Sequence, residues 1–421
     1  MNIRIIPSLL LLALLLSITA GCIDNAYSKG GSDQQEVSEE GVQGEGGLIF
    51  IRDFEGGRAF RTKTDRYWVL HLSGSWMEMG RQYGGLMNDE LRLFHDEIVA
   101  DISARGVSKE MQHSVSGEMY EGYSPGLKDL LEGISLTSGM TMDEVLITNA
   151  GVALLTDAIL GDTPPGACSG IAVWDGYTED GRLIFGRNWD INREAMKKYM
   201  KYLSVVVYCP DERYSVANIH PLGNVYLETG MNSDGLFIEL NNGEFSDKNY
   251  PAGREDTSSF LVTVLTESRN VTEAVDMLKN TPADISYILQ IADPDGAVSL
   301  ERATFDARVR NPEDDGLVIA VNHFIPPYPQ EWEGKVQPPR SSEEDPRYDN
   351  LLSLAGSWEY KGLFTPSLMK DFLGVPMESG GAWHDGTVYQ VIAVPESRTV
   401  WLHAIDYADW EEVPLAELLR Q

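Results

Sequence analysis

From residue 67 to about residue 161, after one short strand, apolar positions recur mainly at spacings of three and four. Residues so spaced share one helix face, which predicts helices over Met77 to Met87, Leu91 to Ile102 and Leu127 to Leu136, with another from Met142 toward Leu155. Ser75, three residues before Glu78, is placed to close a capping box on the first of these. Asp162-Thr163-Pro164-Pro165-Gly166 then breaks the pattern, because proline lacks a backbone donor and restricts its predecessor. Beyond Cys168 the texture is β. Ile171 to Trp174, Leu183 to Arg187, Leu203 to Tyr208, Tyr214 to Ile219, Val225 to Leu227 and Leu236 to Leu240 read as strands, with turns such as Asp175-Gly176 and Asp180-Gly181 between them. Ser258 to Thr266 and Val271 to Lys279 read as helices, the second capped by Asn270 or Thr272. Strands return at Ile288 to Ala292, Val298 to Ala303 and Leu317 to Asn322. A helix near Tyr348 to Leu354 follows, and Thr387 to Val394 with Thr399 to Ala404 closes the pattern. Helices, strands, helices and strands again indicate an α+β chain of stacked sheets covered by helices, without an internal repeat.

The first residues follow a different logic. Arg4, the apolar run Leu9 to Leu16 and the small residues Ser17 to Gly21 describe an export signal over 1–21, too short to span a bilayer stably. Thr19-Ala20-Gly21-Cys22 resembles a prokaryotic lipoprotein box, in which Cys22 would be lipidated and become the mature N-terminus. Residues 22–47, rich in Gly, Ser, Glu and Gln, read as a flexible acidic tether. The expected location is therefore exported, at the cell surface or in the periplasm, with the membrane reached through an N-terminal lipid. The folded part is expected to begin near Leu48-Ile49-Phe50-Ile51, with a mainly helical segment over 48–167 and the β-rich domain over 168–421.

Composition narrows the partners. With 43% hydrophobic residues the chain has ample material for a large core. A formal charge of −32, from 65 acidic against 33 basic residues, repels phosphate backbones and excludes nucleic acid as the expected partner. Three cysteines at distant positions form neither a disulfide framework nor a four-thiolate zinc site, so no metal and no cofactor are expected. Cys22 belongs to the signal, and Cys209, ending a β run, reads as a small buried hydrophobe.

Cys168 is different. It heads a long strand-like stretch directly after the helix-breaking segment, and no histidine is near it in sequence. Cleavage of the Ala167–Cys168 bond would give its thiol a base on the same residue. An α-amino group has an unperturbed pKa of about 7.7–8.0 and can accept the thiol proton near neutrality. Such a nucleophile needs a group to orient the amine, a cation to favour thiolate and donors for an oxyanion. The hairpin after Cys168 would bring Arg187 and Asp190 back beside it, and Asn232, Asn241, Asn242 and Asn322 each end or abut a β run.

At these residues the chain resembles the N-terminal nucleophile hydrolases, and within them the acyl-coenzyme A:6-aminopenicillanic acid acyltransferase branch, related to choloylglycine hydrolases and penicillin V acylases. Arg187 and Asp190, three apart after the first hairpin, match that family, as do Gly230-Met231-Asn232-Ser233-Asp234-Gly235-Leu236, the asparagine near 242, Asn322-His323-Phe324 and Arg347. Upstream, Leu72 to Gly80 with Gly84 is similar to the branch's retained pro-segment, and Ala167 stands where the branch has glycine. The resemblance implies a four-layer αββα sandwich with a helical N-terminal pro-segment, and autocleavage between Ala167 and Cys168. It implies Cys168 as nucleophile, Asp190 holding the freed amine and Arg187 favouring thiolate or contacting substrate. Asn242 and Asn322 would donate to the oxyanion, and Arg347 would support the pocket. The implied substrate is a small-molecule acyl amide or acyl thioester, hydrolysed or used for acyl transfer.

Other readings of the same residues stand beside this one. Arg187 and Asp190 read alone are a structural ion pair at a strand end; Asn242 is a turn residue and shares its claim with Asn241; Glu301 is a strand-end charge. An unprocessed Cys–His hydrolase would use Cys168 with a histidine, His323 first. A lipoprotein that binds a small ligand without turnover is the alternative from another class.

Overall fold

The computed structural model describes residues 47–160, 168–247, 249 and 251–420. The export signal, Cys22, nearly all of the tether, Ala167 and the proline-containing break lie outside the described residues. The described residues begin with three strands, β1 (Ile49–Phe54), β2 (Gly57–Arg61) and β3 (Trp68–Gly74). Five helices follow: α1 (Trp76–Leu86), α2 (Asn88–Ala104), α3 (Lys109–Glu121), α4 (Pro125–Thr137) and α5 (Met142–Leu160). Next come β4 (Ser169–Asp175), β5 (Gly181–Asp190), the short α6 (Arg193–Met196), β6 (Leu203–Pro210), β7 (Val216–Pro221), β8 (Thr229–Asn232) and β9 (Phe237–Asn242). Helices α7 (Thr257–Glu267) and α8 (Val271–Asn280) lead to β10 (Tyr287–Asp293), β11 (Gly296–Arg302), β12 (Ala307–Arg310) and β13 (Leu317–Ala320). The chain closes with α9 (Arg347–Ala355), α10 (Pro366–Leu373), β14 (Thr387–Val394), β15 (Thr399–Ala404) and β16 (Ala408–Pro414).

These strands form two sheets. One runs β1-β2-β3-β6-β7-β8-β9-β10-β11-β12, the other β13-β4-β5-β14-β15-β16. All pairings are antiparallel except β3 with β6, which joins the segment before Cys168 to the segment after it. The sheets face one another, as the Phe185–Phe237 ring contact at 4.7 Å shows, while α7 and α8 cover the larger sheet and α9 and α10 the smaller. This is the αββα sandwich. Strands buried on both faces read as continuous apolar runs, and here each parity has its own layer. Ile171, Val173, Ile184 and Ile392 pack outward with Phe372 and Leu373 of α10, while Ala172, Leu183 and Phe185 face the space between the sheets.

The Ser75–Glu78 capping box is present, and Asn270 rather than Thr272 caps α8. Several elements depart from the periodic reading. The hairpin β1–β2 turns at Glu55 (φ 46°) and Gly56 (φ 89°), a left-handed pair suited to a tight strand turn. Helix α3 has a weak apolar stripe, and β12 and β16 are short or edge strands whose outer faces are polar, so neither carries a strong periodic signal. Val225 to Leu227 is loop, fully buried against its neighbours, and the strand starts only at Thr229. Cys209 is buried as expected, its thiol donating to the Leu418 carbonyl at 3.5 Å, with His71 Nε2 3.6 Å away.

Candidate active site

Cys168 precedes β4, and the β4–β5 ladder pairs Ser169 with Asn188 and Gly170 with Arg187. Continuing that ladder sets Cys168 level with Trp189, which pairs in turn with Tyr389 of β14. Directly opposed residues of an antiparallel sheet share a face, so the row Cys168, Trp189, Tyr389 and the row containing Arg187 point between the sheets. Asn188 lies on the other face, where it is braced by Ser169 and Gln390. A Cβ on Gly170 would run into the Glu239 carboxylate and the Gln290 amide, so a residue without a side chain is required there.

Arg187 is fully buried and held mainly by the opposite sheet. Its Nη2 lies 4.0 Å from Cys168 Sγ and donates to Leu240 O at 2.8 Å. Its Nη1 donates to Glu228 O at 2.7 Å and to Thr229 Oγ1, and its Nε is 3.0 Å from Glu239 Oε2. The partner in the ion pair is thus Glu239 and not Asp190, because two residues three apart on a strand do not share a face. Glu239 escaped notice in the sequence because it interrupts an apolar strand only once. Burial pushes its carboxyl up to about 7 while Arg187 acts in the opposite direction.

Asp190 is also fully buried, yet neither carboxylate oxygen has a hydrogen-bond partner among the described residues. Its backbone carbonyl accepts from the Cys168 thiol at 3.8 Å, and His384 Nε2 stands 3.6 Å from its Oδ2. His384 is far away in sequence and carries no motif, so only the fold reveals it. Burial pushes the Cys168 thiol up to about 11, Arg187 acting against this and Asp190 adding to it.

On the other side of Cys168, Arg347 at the start of α9 donates through Nη1 to the Cys168 carbonyl at 2.9 Å. Both its terminal nitrogens reach Asn322 Oδ1 at 3.3 Å, and Asp345 grips the guanidinium at 2.8 and 2.6 Å. Burial would raise the Asp345 carboxyl, but Arg347 holds it below its usual range. With Oδ1 fixed, Asn322 directs its Nδ2 toward β9, where one N–H meets Asn242 O at 2.9 Å. A side-chain amide has two such hydrogens, so the second is free to donate.

The remaining candidates divide. Asn242 accepts from Glu244 N at 2.8 Å in a turn, whereas Asn241 is fully buried and donates to Glu239 Oε1 at 2.9 Å. Strand alternation places Asn241, two residues from Glu239, on the face of β9 that meets Arg187. His323 makes no hydrogen bond to Cys168, and burial pushes its imidazole down. Glu301 stands one residue from the end of β11, where it is fully buried, pairs with Arg308 at 2.6 Å and accepts from Ile325 N at 2.8 Å, pinning the loop after Asn322. No three His, Cys, Asp or Glu side chains converge on a metal-sized site among the described residues.

The family model of acyl-coenzyme A:6-aminopenicillanic acid acyl-transferase matches residues 177–403, more than half of the chain. The chain belongs to this family. The match holds Arg187, Asp190, Asn322 and Arg347, while Cys168 lies just ahead of it. A curated relative, an uncharacterized protein of Archaeoglobus fulgidus, is 24% identical over 372 residues, covering 76% of this chain. The chain spans 57% of that relative's length. Among solved structures, a Caenorhabditis elegans ortholog of N-acylethanolamine-hydrolyzing acid amidase is 19% identical, with a TM-score of 0.40 over 59% of this chain and 100% of that one. A variant of conjugated bile acid hydrolase from Clostridium perfringens is 16% identical (TM-score 0.43, 59% and 93% covered). Penicillin V acylase from Agrobacterium tumefaciens is 14% identical (TM-score 0.40, 59% and 87% covered).

Proposed function

We propose that the protein is an autoprocessed cysteine hydrolase or acyltransferase acting on small-molecule acyl amides or acyl thioesters. The observation that carries the reading is the Asp190 carboxylate, buried beside Cys168 without a hydrogen-bond donor among the described residues. Scission of the Ala167–Cys168 bond would create an ammonium on Cys168, and a buried carboxylate needs such a cation. In the cleavage step Cys168 Sγ attacks the Ala167 carbonyl and the peptide nitrogen leaves with a proton as the new α-amine. Water then hydrolyses the resulting thioester and frees the thiol. In turnover the α-amine takes the thiol proton, the sulfur attacks the substrate carbonyl, and the α-ammonium returns a proton to the departing amine or thiolate. Water or an acceptor amine discharges the acyl-enzyme. Asn322, held by Arg347, would donate its free N–H to the oxyanion, with Asn241 or Asn242 as the second donor, and Arg187 would favour the thiolate.

Denaturing electrophoresis with N-terminal sequencing tests this: two chains, one beginning at Cys168, against a single chain for Cys168→Ala. A second reading rests on the 3.6 Å approach of His384 to Asp190, which would orient the imidazole of an uncut Cys–His hydrolase. It predicts activity without cleavage, lost on His384→Gln. We also propose export and lipidation at Cys22, which incorporation of a radiolabelled fatty acid, lost on Cys22→Ala, would test. No described helix is long and apolar enough to cross a membrane.

A further inference from the structure

Glu228 is an anomaly beside the proposed nucleophile. Leu227 and Thr229 are fully buried, yet the Glu228 side chain keeps 21% of its surface accessible. Its position is fixed, because its backbone carbonyl accepts from both Arg187 and Leu240 N, and its Oε2 accepts from the Trp189 indole at 2.5 Å. Trp189 is the residue level with Cys168 in the sheet, and it stacks on Tyr389 with ring centres 4.9 Å apart. The Glu228 carboxylate is therefore displayed in the row that holds the reactive thiol. His220 completes the surround. It is 98% buried, its Nε2 lies 3.8 Å from Glu228 Oε2, beyond direct hydrogen-bond range, and neither ring nitrogen has a hydrogen-bond partner among the described residues. Tyr226 packs edge-on against it at 4.9 Å.

We propose that Glu228 selects substrates that carry an ammonium group close to the scissile carbonyl, with Trp189, Tyr389 and His220 as the walls of the subsite. The inference rests on Cys168 being the nucleophile. A partly accessible carboxylate, held in place by the Trp189 indole N–H and lined by aromatic side chains, is the chemistry that holds a cation and turns away an anion. Burial would raise the Glu228 carboxyl, but His220, Arg187 and Trp189 together hold it below its usual range, so the charge is present near neutrality. The net charge of −32 acts in the same direction, concentrating cations around the protein and repelling carboxylates and sulfonates.

Two matched pairs of amides test the proposal, one with the charge on the amine side and one with it on the acyl side. The first pair is the trimethylammonioethyl amide of dodecanoic acid and its tert-butylethyl carbon isostere. The second is the hexyl amide of trimethylammoniobutanoic acid and its tert-butyl isostere. The cationic member of at least one pair is expected to have a kcat/KM about tenfold or more above its isostere. Glu228→Gln, which keeps an acceptor for Trp189, is expected to collapse that ratio; loss of a merely structural contact would lower both members alike. A wild-type ratio at or below one in both pairs, or a ratio unchanged by Glu228→Gln, overturns the proposal. If none of these amides is consumed, calorimetry with hexyltrimethylammonium decides the subsite separately from the proposed chemistry. Binding that Glu228→Gln weakens supports it, and absent or unaltered binding refutes it.

Discussion

Arg347 donates to the carbonyl oxygen of Cys168 itself, across 179 residues of sequence. The same guanidinium fixes Asn322 Oδ1, so one side chain couples the backbone of the proposed nucleophile to the orientation of the proposed oxyanion donor. Lysine cannot make the planar set of contacts to Asp345, Asn322 and Cys168. Arg347→Lys is therefore expected to lower kcat about a hundredfold or more with a smaller change in KM, and Asn322→Ala about a hundredfold to a thousandfold. Steady-state kinetics on each variant, with circular dichroism as a folding control, checks this.

The two asparagines at the end of β9 are expected to separate in the same assay. Asn241 lies on the face of Arg187 and Glu239, while Asn242 closes a turn with Glu244 and offers Asn322 its backbone carbonyl. Asn241→Ala is expected to cost more in kcat than Asn242→Ala. The reverse order would return the oxyanion role to Asn242.

Gly170→Ala is expected to destabilise the protein by about 1–3 kcal/mol, the range for forcing an extra methyl into a packed interior. The new Cβ would meet the Glu239 carboxylate and the Gln290 amide, so the loss should be accompanied by reduced activity through displacement of Arg187. Urea denaturation and kinetics on the same sample read both effects.

Glu239 gives a pH signature. Its carboxyl is raised from 4.5 to about 7 by burial, so the folded state binds a proton that the unfolded state has already released across this window. The stabilisation is full below about 4.5 and fades as pH rises through about 7. The Tm of the wild type is expected to fall relative to that of Glu239→Gln over this interval, as measured by scanning fluorimetry across the pH series.

Much of this was legible in the residues, for physical reasons that differ from place to place. The strands of the central layers showed themselves because each is buried on both faces, and the capping box at Ser75 because its donors and acceptors are local in sequence. Helix α3 and the edge strands β12 and β16 did not, since their apolar positions are few, nor did the hairpin β1–β2, since its strands are short. Within the site, Cys168, Arg187 and Asp190 could be grouped because one hairpin joins them. Glu239, Glu228, His220 and His384 could not, because they reach the site only through sheet stacking and long loops. Glu301 could be placed at a strand end, but its partners Arg308 and the Ile325 amide are visible only in the fold.

The choice between the two bases can be made on one residue. If the α-amine of Cys168 is the base, His384→Gln should still be cut and retain activity within about tenfold, the imidazole contributing only to the surroundings of Asp190. Loss of all activity in an uncut chain would favour the imidazole.

The central claim concerns a single bond. N-terminal sequencing and intact-mass analysis of active, purified protein should find a chain that begins at Cys168, with the preceding segment still associated in native conditions. A fully active preparation in which the Ala167–Cys168 bond is unbroken would contradict it.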